Sequence, residues 1–241
     1  CMSNSVTNSN DYLQYLLKSW SAKSASELTG LNQLRASAID SVGTQKLPNK
    51  HDEEWRFTDI SPLTRLTYPP SQQQSRLQFS DIDKFCLQNT TNRLVFVDNH
   101  YSPDLSNVAD SQIQILGNLH SLMSSHASTI ESHLGHYAKF DHDIFTALNT
   151  AFLHDSALII VPAKTCITEP IHLLFIASQQ EVSSYPRSLV VSGPDSKVTL
   201  IEDYVSINQS SYITNTVTEI RLAAHAQVEH IRVQRDSKQA H

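Results

Sequence analysis

The sequence predicts a mainly β fold, in which a solenoid of stacked strands follows a mainly α-helical N-terminal region. Short runs rich in β-branched residues recur about every 30 residues between positions 157 and 241, and no amphipathic helix pattern separates them. Earlier in the chain, between positions 13 and 42, apolar residues recur at helical spacing. A single coil of such a repeat cannot bury its own apolar face, so each coil is expected to depend on its neighbours.

Two stretches carry the helical prediction for the N-terminal region. Leu13, Leu16, Leu17 and Trp20 recur at helical spacing after Asp11, which is a suitable capping residue. A second apolar stripe runs from residue 31 to residue 42. Gly43 follows it and is the expected C-terminal stop.

The pattern of apolar residues changes from helix-like to strand-like near residue 93. Arg93–Val97 is β-branched and aromatic, and predicts a strand. Leu119–Phe152 returns to helical spacing, with a break near Gly135 and a second capping candidate at Asp141. We therefore divide the chain into a mainly helical region, 1–92, and a β-rich region that leads into the solenoid, 93–241.

The repeat itself is visible as apolar residues that return at an offset of 30. These pairs are Val161 with Val191, Ile171 with Ile201, Val198 with Val228, and Ile201 with Ile231. A β-sandwich of hairpins is the alternative fold for this region. We favour the solenoid, because the two-residue hairpin signals Asn-Gly and Asp-Gly are absent and internal repeats of this length are typical of solenoids.

Glycine and cysteine counts exclude several classes of enzyme. The chain has only five glycines, too widely spaced for the dinucleotide-binding motif, the Walker A motif or the nucleophile elbow of hydrolases. Its three cysteines, Cys1, Cys86 and Cys166, lie too far apart for a C-x-x-C motif or for a four-thiolate cluster site within one chain. They also do not form a disulfide framework, which fits a reducing compartment.

Charge and hydropathy indicate the cellular compartment of the protein and the partners that it does not bind. The formal net charge of −6 argues against non-specific nucleic-acid binding, which needs a basic face. The polar first ten residues do not resemble a secretory leader, and the longest apolar runs are far below the roughly 20 residues of a membrane span. We expect a cytoplasmic protein that has no membrane span and binds no nucleic acid.

Histidine is abundant, and His133 and His136 would lie on one face of a helix. Asp141, His142 or Asp143 would then have to supply the further ligands of a metal site. A polar, solvated surface explains the same residues more simply. We therefore assign no metal ligands.

Three other groups of residues have both a structural and a functional interpretation. Glu202-Asp203 and Glu229-His230, one coil apart, allow a paired-carboxylate site, although charged pairs on the outer face of a solenoid are ordinary. Cys166 would be a reactive thiol if exposed, but a buried structural thiol is favoured. The triplet Trp55-Arg56-Phe57 fits a ligand-stacking or partner site as well as an aromatic anchor.

Several stretches, in this order, resemble the SufB/SufD family of the SUF iron–sulfur cluster assembly machinery. They are Pro48 with Asp52–Leu63, Phe145–Phe152, Pro186–Val191 with Ile201–Tyr204, and Asn215–Ile220 with Ala226–Ile231 and Gln234–Ser237. The Glu-Glu-Trp-Arg segment resembles the SufD branch more than the SufB branch. One local departure is Asp155-Ser156, where the family usually has Asp-Gly, so the turn there must form without glycine.

The resemblance implies a right-handed parallel β-helix after a mainly helical N-terminal region. It also implies a non-enzymatic scaffold subunit that acts with SufB and the ATPase SufC. The complex would handle an iron–sulfur cluster and is associated with a reduced flavin. No position of this chain matches a catalytic, cofactor-binding or metal-binding residue of the family, so none is assigned.

Family members typically continue well beyond the length of this chain, so the resemblance implies a fragment. An uncapped solenoid end is expected to self-associate. The alternative function is a solenoid hydrolase or lyase that cleaves polysaccharide with Glu202 and Glu229. The scarcity of aromatic residues in the coils counts against it.

Overall fold

The structure is a computed structural model that describes residues 11–20, 29–73, 75–88, 90–109 and 115–241. Cys1 lies outside the described residues. About 28% of the described part is helical and about 28% lies in strands. The fold is therefore mixed α/β with sheets, and the prediction of a mainly β chain is not confirmed.

The two predicted N-terminal helices form. Helix α1 spans Asp11–Ser19 and helix α2 spans Thr29–Thr44. Asp11 is the first helical residue of α1. Helix α2 continues through Gly43, so this glycine is not the predicted stop.

A compact, mostly irregular segment connects these helices to the first sheet. It contains short 3-10 helices at Glu53–Trp55, Leu63–Arg65 and Asp83–Phe85, and helix α3 at Phe79–Ile82. Strand β1, Arg93–Val97, is confirmed, and it pairs antiparallel with the short strand β2, His100–Tyr101. The two turn residues, Asp98 and Asn99, both have positive φ, 49° and 70°. A tight hairpin turn therefore forms here without glycine, because Asp and Asn tolerate the left-handed region.

The next region is helical, as predicted. Strand β3 (Ile115–Asn118) leads into helix α4 (Leu119–His133), and helix α5 (Ile144–Ala151) follows after a break that contains Gly135. The cap of α5 is Asp143 and not the predicted Asp141. One oxygen of Asp143 accepts hydrogen bonds from the amides of the second and third helical residues.

The remaining strands pair in parallel ladders. They are β4 (Ala157–Val161), β5 (Ile171–Ala177), β6 (Ser183–Ser184), β7 (Arg187–Ser192), β8 (Lys197–Ser206), β9 (Ile213–Thr214), β10 (Val217–Leu222) and β11 (Gln227–Arg235). The ladders are β4–β7–β10, β5–β8–β11 and β6–β9, with β3 added antiparallel to β4 and β1 added parallel to β5. Every pairing among β4–β11 is parallel, so these strands do not form the antiparallel hairpins of the sandwich alternative.

The predicted register is correct between the later strands and shifted between the earlier ones. Val198 pairs with Val228 and Ile201 with Ile231, as predicted. Val161 instead pairs with Ser192, and Ile171 pairs with Leu200. The cause is the connection between β4 and β5, which is longer than the one between β7 and β8. As a result, paired residues of β4 and β7 are 31 positions apart, and paired residues of β5 and β8 are 29 positions apart, instead of the predicted 30.

The main ladders face each other across an apolar core, and helices cover their outer faces. The inner cluster joins side chains of both ladders, including Leu94, Phe96, Ile159, Leu173 and Val190. Helix α4 packs on the outer face of β4 and β7, and helix α3 packs on the outer face of β1 and β5. None of the described helices is both long and apolar enough to cross a membrane.

Candidate functional site

Strand β8 places two adjacent carboxylates, Glu202 and Asp203, in the interior of the protein. Their exposed fractions are 0% and 1%. Successive residues of a strand point to opposite faces, so the two carboxylates lie on opposite sides of the sheet. The interpretation of these acids as a solvated pair on the outer face is therefore wrong.

Glu202 is held by three side chains from three strands. Its Oε2 lies 3.1 Å from His230 Nε2 and accepts a long hydrogen bond, 3.4 Å, from the Tyr204 hydroxyl. Its Oε1 accepts a hydrogen bond of 2.7 Å from the Thr218 hydroxyl. Burial raises the pKa of Glu202, but the hydrogen bonds from His230 and Thr218 outweigh burial, and the net pKa is lowered. Glu202 is therefore a buried, ionised acceptor.

Asp203 has a separate set of partners on the other face of the sheet. Its Oδ2 lies 3.3 Å from His172 Nε2, and Arg235 donates to both of its oxygens, with Nε at 3.2 Å from Oδ1. Burial raises the pKa of Asp203, but the hydrogen bonds from His172 and Arg235 outweigh burial, and the net pKa is lowered. His172 is itself fully buried, and its Nδ1 has no hydrogen-bond partner among the described residues.

The carboxylates of Glu202 and Glu229 do not form a pair. The register places Arg232 opposite Glu202, and Thr199 opposite Glu229. Glu229 is exposed and accepts a hydrogen bond of 3.2 Å from Thr199 Oγ1. Two carboxylates that share a substrate need to face one cleft. Here one is buried and the other lies on the surface, so these two residues do not form an acid/base pair.

A buried ion pair that the sequence did not reveal joins β7 to β10. Arg187 and Glu219 have exposed side-chain fractions of 0%, and Arg187 Nη2 lies 2.8 Å from Glu219 Oε2. The same carboxylate accepts hydrogen bonds from the backbone amides of Gly135, Tyr137 and Ala138, at 2.8 to 3.0 Å. Burial raises the pKa of Glu219, but the charge of Arg187 and these amides lower it overall.

Arg187 also reaches helix α5, so the ion pair connects three parts of the fold. Its Nη1 donates to Asn149 Oδ1 at 3.0 Å and to Thr150 Oγ1 at 3.1 Å. The signal that could have revealed it is Arg187 itself, a charge at the start of an otherwise apolar strand, because a buried charge requires a partner. That partner is 32 positions away and becomes recognisable only once the strands are aligned.

The histidine pair of the sequence analysis does not lie on one helical face. Helix α4 ends at His133, and His136 follows beyond Gly135. His133 Nδ1 lies 2.5 Å from the Tyr137 hydroxyl, and burial lowers the pKa of His133. Within the described ranges, no group of three or more His, Cys, Asp or Glu side chains is arranged to hold a metal ion.

The ring of His154 contacts the rings of two other histidines, His100 and His120, near the start of α4. The ring centroid of His154 lies 4.8 Å from that of His100 and 5.3 Å from that of His120. Burial lowers the pKa of His154, and the neighbouring His100 lowers it further. This cluster was not predicted, because its members are far apart in sequence.

The cysteine and aromatic candidates have mixed outcomes. Cys166 is exposed, so the prediction of a buried thiol is wrong. Cys86 is partly buried, and burial raises the pKa of its thiol. Trp55 packs on Phe145 of α5 with ring centroids 5.3 Å apart, whereas Phe57 is 89% exposed. Trp55 is therefore the aromatic anchor of its segment, and Phe57 has no such role.

The Asp155-Ser156 turn does not need glycine. Neither residue is among those with positive φ. The buried Asp155 side chain accepts hydrogen bonds from the Ser156 amide and from Asn118 Nδ2, at 2.9 and 2.8 Å. The turn therefore forms without glycine, as expected, because neither residue adopts a left-handed conformation.

Comparison with known families covers nearly the whole chain. Residues 6–173 match the model of the SufBD protein N-terminal region, and residues 175–241 match that of the SUF system FeS cluster assembly SufBD core domain. An iron-sulfur cluster assembly SufBD family protein of Synechocystis is 36% identical over 92% of this chain and 51% of its own length.

Two more distant relatives show the same partial coverage. The chloroplastic protein ABCI7 of Arabidopsis thaliana is 25% identical over 91% of this chain and 47% of its own length. The iron-sulfur cluster assembly protein SufD of Escherichia coli is 22% identical over 81% of this chain and 44% of its own length. The chain thus spans about half the length of these curated relatives. The ordered match to both family models shows that the chain belongs to the SufBD family of SUF iron–sulfur cluster assembly proteins.

Proposed function

We propose that this chain is part of a non-enzymatic scaffold subunit for iron–sulfur cluster assembly, acting in the cytoplasm with SufB and SufC homologues. The observation that carries the proposal is the match of two SufBD family models, in order, along residues 6–173 and 175–241. The geometry supports it, because the buried carboxylates of β8 and β10 are bonded to partners within the fold. A cluster and a reduced flavin would be handled by the complex, and we assign them no residue of this chain.

Within the family, we place the chain on the SufD branch and its ladders in a right-handed parallel β-helix. The segment Glu53–Arg56 supports the SufD branch. The parallel pairing of β4–β11, with partners 29 to 31 positions apart, supports the winding. An experimental structure of the gene product at its natural length tests the hand of the coil and the number of coils.

Purification of the natural-length gene product from its own cells tests the partnership. A tagged protein is expected to retain the SufB and SufC homologues through size-exclusion chromatography at a fixed stoichiometry. Depletion of the protein should lower the activity of iron–sulfur enzymes and leave the activity of metal-free enzymes unchanged. Failure to co-purify with either homologue, with normal iron–sulfur enzymes after depletion, would contradict the proposal.

The C-terminal strands also offer an edge for self-association. Strands β10 and β11 each pair on one side only within the described ranges, and Leu222 and Ile231 are 47% and 40% exposed. Unpaired edges with apolar side chains tend to pair with another chain. A protein of residues 1–241 is expected to form dimers or larger species in sedimentation velocity as concentration rises. A monomer at every concentration would remove this expectation.

Polysaccharide cleavage by Glu202 and Glu229 gains no support from the geometry, since one carboxylate is buried and the other exposed. A direct assay still separates the two functions. The wild-type protein is expected to release no reducing ends from polysaccharides. Cleavage that is abolished by Glu202→Gln would favour the hydrolase or lyase instead.

A further inference from the structure

The loop of residues 49–61 presents Phe57 to solvent while most of the loop is ordered by its own hydrogen bonds. Phe57 is 89% exposed, the largest exposed fraction among the large apolar side chains of the described ranges. Its ring contacts the guanidinium of Arg56, whose Cζ lies 4.7 Å from the ring centroid. A single exposed apolar residue is common on proteins, so exposure alone carries no functional meaning.

What distinguishes this loop is how firmly it holds its shape. The amides of Asp52, Trp55 and Thr58 each donate to a carbonyl three residues earlier, at 2.9 to 3.0 Å. Lys50 Nζ lies 3.1 Å from Asp59 Oδ2, so an ion pair links the two ends of the loop. Two residues before Phe57, the Trp55 ring packs on Phe145 of α5. The loop therefore holds the backbone at Phe57 in one place, so that little backbone freedom remains to be lost on binding.

The loop has a net negative charge, because its four acidic residues outnumber Lys50 and Arg56, and this charge indicates what kind of surface would fit it. Asp52, Glu53 and Glu54 precede Phe57, and all three are exposed. Together with Asp143, they line a cleft of about 570 Å³ beside the loop, in which Lys46 is the one lysine or arginine among the described side chains. A partner surface with cations around an apolar pocket would match this arrangement, whereas an acidic surface or an anionic lipid headgroup would be repelled.

We propose that the 49–61 loop is a docking element, whose Phe57 inserts into an apolar pocket of a partner protein rimmed by lysine or arginine side chains. Rigid aromatic side chains at the centre of an interface are typical binding hot spots, and charges at the rim mainly set association rate and specificity. Arg56 shields one face of the Phe57 ring in the free protein. This docking role does not depend on the assembly function proposed above.

Site-specific photocrosslinking identifies the occupant. Phe57 is replaced by p-benzoylphenylalanine in the natural-length gene product in its own cells, and crosslinked peptides are sequenced. Phe79 is a matched control, because it is also an exposed phenylalanine, 51%, with an arginine over its ring. Crosslinks from position 57 are expected in one protein, at apolar residues with lysine or arginine close by in that protein's structure. Position 79 should not give these crosslinks.

Titration calorimetry with that purified partner then measures the role of each group. Phe57→Ala is expected to weaken binding by roughly 10- to 100-fold, because it removes the aromatic anchor. Glu53→Lys with Glu54→Lys should weaken binding at low salt and change the salt dependence of the Kd, while Phe79→Ala changes neither. Circular dichroism should show unchanged folding, since all four side chains are exposed.

Several results would overturn the docking role. Crosslinks from position 57 that appear only in a second copy of the chain, in lipid or in nucleic acid would assign the loop to a different occupant. The same would hold for crosslinks identical to those from position 79, for no crosslinks at all, or for a Phe57→Ala variant that binds the captured partner within about twofold of the wild type.

Discussion

Earlier and later strands of the two main ladders fill equivalent positions with opposite chemistry. In each ladder, two leucines in register are followed by a buried glutamate. The rows are Leu158, Leu189 and Glu219 in one ladder, and Leu94, Leu173 and Glu202 in the other. All six side chains are almost fully buried. The leucines and the glutamates therefore occupy equivalent backbone positions, but different interactions stabilise their side chains.

The difference shows that burial in these ladders is achieved in two ways. A leucine gains about 1.5–3 kcal/mol from removal of its apolar surface from water, whatever its neighbours are, provided that they pack closely. A buried carboxylate is costly unless charges and hydrogen bonds compensate for lost water. The later strands should therefore depend on a few specific partners, and the earlier strands on close packing.

The largest expected effect follows from removal of Glu219. Glu219→Ala leaves Arg187 buried without its counter-charge and leaves three backbone amides without an acceptor. The free energy of unfolding should fall by about 3–5 kcal/mol. Urea denaturation measures it, with Glu229→Ala as the exposed control, for which we expect a change within about 0.5 kcal/mol. Equal effects of the two variants would refute the role of the ion pair.

A second measurement on the same variants shows where the stability is lost. Hydrogen exchange of the Gly135, Tyr137 and Ala138 amides should accelerate in Glu219→Ala, because these amides donate to the missing carboxylate. Replacing the pair by Arg187→Met with Glu219→Leu should recover part of the stability, since apolar residues can substitute for a buried ion pair. The recovery should be incomplete, because the three amides still lack an acceptor.

The equivalent leucine should behave differently. Leu189→Ala removes most of a side chain that is 1% exposed and packs with residues of helix α4 on the outer face of the ladder. We expect a loss of about 2–4 kcal/mol from the lost burial and the cavity that remains. Exchange of the amides at 135–138 should change only through global unfolding. Selective deprotection of these amides in Leu189→Ala would show that the two positions do not differ in the way proposed.

A smaller effect is expected at Gly193, where two backbone segments 30 positions apart approach each other closely. A Cβ atom on Gly193 would lie 2.6 Å from the Ala163 amide nitrogen and 2.9 Å from the Pro162 carbonyl carbon. Gly193→Ala should therefore cost about 1–3 kcal/mol, because backbone must move to admit the methyl group. Gly43→Ala is the matched control, since Gly43 lies within α2 and a methyl group there would meet no described atom within 4 Å. It should stabilise the protein by about 0.5–1 kcal/mol.

Apolar patterning predicted which strands exist, but not how the buried charges are paired. The runs at 158–161, 189–191 and 220–222 all lie in strands, because β-branched residues mark a buried sheet independently of its partners. The registers of β4 with β7 and of β5 with β8 were missed by one position, since the longer 162–170 connection breaks the 30-residue period. A sequence period cannot show such a local insertion.

The candidate site was less predictable for a related reason. Adjacent acidic residues such as Glu202 and Asp203 usually indicate a solvated face, and only the aligned strands bring His230 and Arg235 to them. The cap of α5 was predicted at Asp141, but the side chain that bonds amides of the first helical turn is that of Asp143. The exposure of Phe57 likewise depends on the way that Trp55 anchors the loop on α5.

The smallest effect that we predict depends on pH and involves His230. Its hydrogen bond to Glu202 raises the pKa of His230 above its ordinary value of 6.5, and the net pKa of Glu202 is lowered from 4.5. A raised histidine pKa stabilises the fold fully below pH 6.5, and this contribution is lost as pH rises through the folded-state pKa. A lowered glutamate pKa stabilises the fold above pH 4.5, and this is lost as pH falls through its folded-state pKa.

The pair should therefore contribute most between these two ordinary pKa values, and a His230→Gln variant tests it. The His230 side chain is 29% exposed, so solvent screens the interaction, and we expect a loss of only about 1 kcal/mol near pH 5.5. At about pH 9, a neutral imidazole still donates a hydrogen bond but carries no charge, so the difference from the wild type should shrink. Urea denaturation at both pH values measures it. A difference that stays constant or grows toward alkaline pH would contradict this expectation, because it would show that His230 stabilises the fold as a neutral hydrogen-bond donor and not as a cation paired with Glu202.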